Sequence, residues 1–195
     1  FALLDHLGIE RTHLAGTSMG GFISQTMALR SPERVRTLSL SMTSTGSRKV
    51  GRPTPAVIKM MATAKPPADR AAAIEESVAV NTVLGSPAHQ DEALIRELSG
   101  VAYDRSHEPD GRLRQLAAIM AQPNRTDRLK RLRVPTMVVH GLSDPLVSVS
   151  GGIALAKAIP GAIFVGHHGM GHDLPLTMWR ELTDDILSLI ARSEA

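Results

Sequence analysis

At 195 residues and 20.9 kDa, the chain can form one large domain or a core carrying a smaller lid. Its 43% hydrophobic and 21% charged content excludes disorder, collagen-like repeats and a long coiled coil, and no apolar run approaches the roughly 18 residues of a membrane-spanning helix. The absence of Cys excludes disulfides and thiolate metal sites and leaves the redox compartment open, while a net charge of +3 is too small to imply a nucleic-acid partner.

The first ten residues, FALLDHLGIE, read as the tail of an amphipathic helix built on Ala2, Leu3, Leu4 and Leu7 and stopped at Gly8. An opening on Phe1, with Asp5 and His6 interrupting any signal-like apolar run, marks residues 1–195 as the later part of a longer natural chain. Residues 12–16 form a short strand. Residues 19–30 form a helix, with Phe22, Ile23, Met27 and Ala28 at helical spacing, that ends at Ser31-Pro32. Residues 35–43 form a second strand. This βαβ order implies parallel pairing and a right-handed crossover, so residues 1–45 are the first part of a core.

Residues 46–127 change character. After the linker GSRKVGRPTP come helical patterns only: Val57, Met60, Met61 and Ala64; then residues 71–84; then 91–103 with Leu94, Leu98 and Val101; then Leu113, Leu116, Ala117 and Met120. This segment reads as an inserted helical subdomain, with its Met-rich stripe (Met60, Met61, Met120) as internal packing or, alternatively, as an adaptable substrate pocket. Residues 128–195 return to α/β alternation, with strands at 135–140 and 162–166, a helix at 152–159 and a terminal helix at 175–191. The inner face of that last helix carries Leu182, Ile186, Leu189 and Ile190. The basic run NRTDRLKRLR at 124–133 lacks interleaved aromatics and reads as a solvated helix face.

The chemistry is concentrated in three loops. Gly16-Thr17-Ser18-Met19-Gly20, followed by Gly21, has the G-x-S-x-G spacing of a nucleophile elbow between a strand and a helix. In such a turn the glycines two positions either side of the serine are expected where side chains would collide with the neighbouring strand or helix. The turn lifts the Ser18 hydroxyl above the sheet edge and aims the Met19 N–H at an oxyanion formed beside it. A serine needs a base, and the base an orienting carboxylate. Asp144 lies in HGLSDP after the strand at 135–140, and His172 in GMGHD after the strand at 162–166. Both fall at carboxyl edges, where loops of a doubly wound sheet converge. Competing readings make Asp144 a turn cap with Asp173 or Asp104 as the acid, and His172 a structural histidine. His140 is assigned to supporting its loop, and His167 and His168 to packing or solvent.

With these motifs in hand, residues 1–45 and 128–195 resemble the second half of an α/β-hydrolase fold, a mostly parallel sheet flanked by helices, and residues 46–127 resemble its helical cap. The segments GTSMGG, VPTMVVHGLSDPLV and GMGHDLP are similar to actinobacterial esterases of the aclacinomycin methylesterase-like group. The resemblance implies Ser18 as nucleophile, Asp144 as acid and His172 as general base, with no metal or organic cofactor. It also implies that the earlier strands and the second oxyanion donor lie upstream of this chain, leaving the strand at 12–16 with an unpaired edge.

The expected function is a serine hydrolase cleaving a small or medium carboxylic ester. The partner is then a small-molecule ester, with no nucleic acid and no membrane span, and the location is the cytoplasm. Serine at the elbow argues against haloalkane dehalogenases and epoxide hydrolases, which use aspartate there. The alternatives are a carbon–carbon bond hydrolase, which the 3% aromatic content disfavours slightly, a cofactor-free haloperoxidase or perhydrolase relative, and a non-catalytic ligand-binding protein like the hydrolase-like hormone receptors.

Overall fold

A computed structural model describes residues 1–194, of Pro109 the backbone alone. Four strands, β1 (Thr12–Thr17), β2 (Val35–Ser41), β3 (Thr136–Gly141) and β4 (Ile163–His167), form one parallel sheet in the order β1-β2-β3-β4. The registers Thr17↔Ser41, Ser41↔Val139 and Gly141↔His167 bring the carboxyl ends of all four strands level. The loops that follow them therefore open on one edge. Among the described residues β1 pairs with β2 alone, so its outer edge is open.

The helices that cover the sheet follow from side-chain alternation along the strands. Leu38 and Leu40 of β2 and Val138 of β3 point to one face. There they meet Ala28 of α2 (Met19–Arg30), Leu129 of α7 (Thr126–Leu129), and Leu155 and Ala158 of α8 (Ser150–Ala158). Met137 and Val139 point the other way and meet Leu182 and Leu189 of α9 (Trp179–Glu194), together with Met42, Met170 and Met178. Each fully buried aliphatic side chain in these two layers contributes about 1.5–3 kcal/mol relative to exposure. A short helix α1 (Ala2–His6) precedes β1 and is closed by Gly8, whose φ of 67° is the left-handed value of a helix stop.

Between β2 and β3 the chain makes α3 (Pro55–Thr63), α4 (Arg70–Leu84), α5 (Glu92–Arg105) and α6 (Pro109–Met120). Thr54, Asp69 and Asp91 cap the first three through their side-chain oxygens, which explains where these helices begin.

Several local expectations are corrected. Helix α8 starts at Ser150, two residues before the expected start at Gly152, and ends at Ala158. Gly152 is needed because a Cβ there would lie 2.5 Å from the His140 ring. The terminal helix starts only at Trp179, after a 3₁₀ turn over Leu176–Met178. In the basic run Arg125 is buried, with its guanidinium carbon 5.1 Å from the Phe22 ring centroid, and burial, aided by Arg128, lowers its pKa. The rest of the run's cations face solvent as expected. The apolar stripe of α6 does not pack inward: Leu113, Leu116, Ala117 and Met120 are exposed.

Candidate active site

The turn from β1 into α2 carries Ser18 at φ 52° and ψ −114°, a conformation that costs a non-glycine residue about 1–3 kcal/mol. Two backbone bonds hold it: Ser18 N–H donates to Ser41 O of β2 (2.9 Å), and Gly21 N–H donates to Ser18 O (2.9 Å). The expected steric need for glycine at both elbow positions is half right. A Cβ on Gly16 would run into Gly20 O and Ser24 Oγ, but a Cβ on Gly20 would meet nothing within 4 Å. The second close approach belongs to Gly21, where a Cβ would collide with the Thr43 side chain. The elbow packs against the loop after β2 one residue later than the motif suggests.

The loops after β3 and β4 bring the other two groups to Ser18. His172 Nε2 lies 3.0 Å from Ser18 Oγ, and His172 Nδ1 lies 2.7 Å from Asp144 Oδ2. The other Asp144 oxygen accepts from the N–H groups of Leu146 (2.9 Å) and Val147 (2.8 Å). Asp144 thus makes the turn-capping bonds of its competing reading and the histidine bond together. Its side chain is fully buried, where an ionised carboxylate survives only with such partners. Neutral His172 with its proton on Nδ1 donates to Asp144 and leaves Nε2 to accept from the Ser18 hydroxyl.

The competing candidates are occupied elsewhere. Asp104 pairs with Arg70 at 2.7 Å, and Asp173 accepts from Ser86. His140 is fully buried and donates from Nε2 to Val147 O at 2.7 Å, which braces the Asp144 turn. Burial pushes its pKa down, and its Nδ1 has no hydrogen-bond partner among the described residues. His167, assigned from sequence to packing or solvent, is buried between two carboxylates of α9: Glu181 Oε1 at 3.1 Å and Asp185 Oδ2 at 2.8 Å. His168 is exposed.

Met19 opens α2, so its N–H has no partner within the helix and is free to donate beside Ser18. From Met19 a cavity of about 590 Å³ runs along α2 to α6, lined by Phe22, Ile23, Met27, Ala118 and Ile119. Its lining does not include the side chains of Ser18 or His172. Met60 and Met61 line a different cavity of about 260 Å³ between α3, α4 and α6. Met120 lines neither and is 66% exposed, so the three methionines do not form one pocket.

Comparison with known proteins agrees with this architecture. The family described as Serine aminopeptidase, S33 matches residues 4–176. A 2-hydroxy-6-oxononadienedioate/2-hydroxy-6-oxononatrienedioate hydrolase of Pseudomonas putida is 29% identical over 174 residues, covering 87% of this chain and 59% of that protein. The rhodomycin D methylesterase of Streptomyces peucetius is 28% identical over 209 residues, covering 93% of this chain and 67% of its own length. Among solved structures, an esterase from a Rhodococcus species superposes with a TM-score of 0.73 at 26% identity, covering 96% of this chain and 69% of that one. The chain thus spans about three-fifths of the length of the first of these relatives. With the level parallel sheet, the elbow and the family match over most of its length, the chain belongs to the α/β-hydrolases of the Serine aminopeptidase, S33 family.

Proposed function

We propose that Ser18, His172 and Asp144 act as a catalytic triad in a serine hydrolase that cleaves a small or medium carboxylic ester. The observation that carries this is the unbroken chain of contacts from Ser18 Oγ to His172 (3.0 Å) and on to Asp144 (2.7 Å). His172 Nε2 takes the hydroxyl proton as Ser18 Oγ attacks the ester carbonyl. Asp144 holds the ring in the tautomer that leaves Nε2 free and stabilises the imidazolium that results. The Met19 N–H and the start of α2 face the tetrahedral oxyanion. His172 then returns its proton to the leaving alcohol, and a water repeats the cycle on the acyl-enzyme.

In this reading α3 to α6 form a cap, and the cavity beginning at Met19 takes the substrate's apolar part. Its size is within the range of small-molecule sites. A cytoplasmic location is part of the proposal; among the described residues no helix is long and apolar enough to cross a membrane. The methylesterase and esterase relatives support the ester. The relatives that hydrolyse 2-hydroxy-6-oxononadienedioate favour a second reading, in which the same serine attacks a ketone and a carbon–carbon bond breaks.

One assay separates them. The full chain is given p-nitrophenyl esters from acetate to decanoate and, in parallel, a 2-hydroxy-6-oxo-dienoate, with Ser18→Ala as control. Ester turnover that falls by about 10⁶-fold in the control supports the proposal. Turnover of the dienoate alone moves the assignment to the second reading, and full activity in Ser18→Ala removes both.

A further inference from the structure

The loop that presents His172 is anchored on its near side by fully buried Met170, whose carbonyl accepts from Ser143 N–H at 3.0 Å. It contains Gly169, at φ 74°, and Gly171, and it must keep an imidazole within hydrogen-bond distance of two partners at once. Its far side, His172 and its two neighbours, is held from the end of α4, nearly ninety residues earlier in the chain. His172 N–H donates to Leu84 O at 2.7 Å. Ser86 Oγ accepts from Gly171 N–H at 2.8 Å and donates to Asp173 Oδ1 at 2.5 Å, while Ser86 N–H donates to Asp173 Oδ2 at 3.0 Å.

These four bonds grip the residue before His172, His172 itself and the residue after it. Ser86 is fully buried, and both oxygens of Asp173 are directed at it. The two backbones meet closely. A Cβ on Gly171 would lie 2.5 Å from Leu84 O and from the Gly85 carbonyl, and one on Gly85 would lie 3.0 Å from Asp173 Oδ2. A seam this tight fixes the height of the histidine loop above the sheet.

We propose that Ser86 and Asp173 are positioning residues for His172, which fasten its loop to the end of α4 so that the helical segment helps set the geometry of the base. This rests on the reading of His172 as general base. Neither residue touches the reacting atoms. Their removal is expected to lower kcat rather than raise KM, because a displacement of about 1 Å at a reacting group costs up to about 10²-fold in rate.

The test uses the full chain with p-nitrophenyl acetate and the variants Ser86→Ala, Ser86→Thr and Asp173→Asn. The positioning role predicts a kcat about 10- to 100-fold lower in Ser86→Ala, with KM within about twofold and partial recovery in Ser86→Thr, which keeps the hydroxyl. It also predicts faster amide exchange at Gly171 and a broadened low-field resonance from the His172 Nδ1 proton. A folded Ser86→Ala with unchanged kcat and an unchanged low-field resonance overturns it, whatever happens to the melting temperature. Should Ser86→Ala not fold, Asp173→Asn decides, since it leaves the Ser86–Gly171 and Leu84–His172 bonds in place, and unchanged kcat there overturns the proposal. Ser18→Ala separates the two levels. An active Ser18→Ala removes the general-base reading itself, whereas an inactive Ser18→Ala beside a fully active Ser86→Ala removes the positioning role alone.

Discussion

The sheet region and the helical segment between β2 and β3 are stabilised by different physics. Both buried apolar clusters draw their members from residues 28–42 and 129–189. Between α3 and α6, Val57 is the one fully buried apolar side chain among the described residues. Here apolar side chains such as Ile74, Val78, Leu94 and Ile95 are only half-buried, and ion pairs at the surface add links between α4 and its neighbours: Arg70–Asp104 at 2.7 Å, Arg96–Glu75 and Arg112–Glu76 at 2.6 Å. Exposed pairs of this kind contribute about 0–1 kcal/mol each. The difference teaches that the groups requiring fixed geometry stand on the part of the molecule held by burial, whereas the helical segment has few fully buried apolar side chains, the condition under which local opening is expected first. The clasp at Leu84–Ser86 is where the two regimes meet.

The largest effect that tests this division is chemical. Asp144→Asn keeps the shape of the turn but removes the acceptor that fixes the tautomer of His172. Turnover is expected to fall about 10⁴-fold, with the melting transition nearly unchanged. Equal turnover in wild type and variant under the ester assay would mean that the buried carboxylate is merely a turn cap.

Next in size are paired truncations. Leu38 and Leu155 are wholly buried in the first cluster, and Leu98 and Leu113 are 56% and 62% exposed on α5 and α6. Leu38→Ala or Leu155→Ala is expected to destabilise by about 2–5 kcal/mol in urea unfolding. Leu98→Ala and Leu113→Ala should stay within about 0.5 kcal/mol. A large loss from Leu113→Ala would show that the exposed stripe of α6 is covered in solution.

How far this arrangement is legible in sequence depends on distance along the chain. The elbow announces itself because strand, strained serine and helix are contiguous. Asp144 and His172 are legible because each follows a short apolar strand by a few residues. Ser86 gives no such signal. Gly85-Ser86-Pro87 reads as an ordinary helix stop, and its partner is Asp173, whose proximity to His172 makes it look instead like a rival acid. Arg125 is misread for a related reason: a run of cations looks solvated, and nothing local reveals that Phe22 lies over this one. The α6 stripe has helical spacing but no inward partner, so periodicity predicts the helix correctly and its burial incorrectly.

A smaller effect comes from protons. Burial lowers the pKa of His140 below its ordinary value of about 6.5. The unfolded chain therefore binds this proton more readily than the folded one. The sheet region should hold its full contribution from this site above about pH 6.5 and lose it progressively as pH falls through the lower, folded value. Denaturant titrations between pH 7.5 and roughly 5 should show that slope, and it should flatten in His140→Asn. An equal slope in the variant would assign the acid sensitivity to other groups.

The smallest expected effect bears most directly on the contrast between the regions. Arg96 bridges Glu92 on its own helix at 2.8 Å and Glu75 on α4 at 2.6 Å. These contacts hold the Glu75 carboxyl below its usual range and raise the guanidinium further above its own. All three side chains are substantially solvated, so the attraction is screened by salt. Arg96→Ala should therefore lower global stability by less than about 1 kcal/mol. Amide exchange is the sharper probe. In α4 and α5 it should quicken both in the variant and in wild type at about 1 M salt, where the screening length falls to about 3 Å, while β2 and β3 exchange as before. Salt that speeds exchange in the helices and the sheet equally would mean that they open as one cooperative unit, and that the proposed cap owes its stability to the core beneath it.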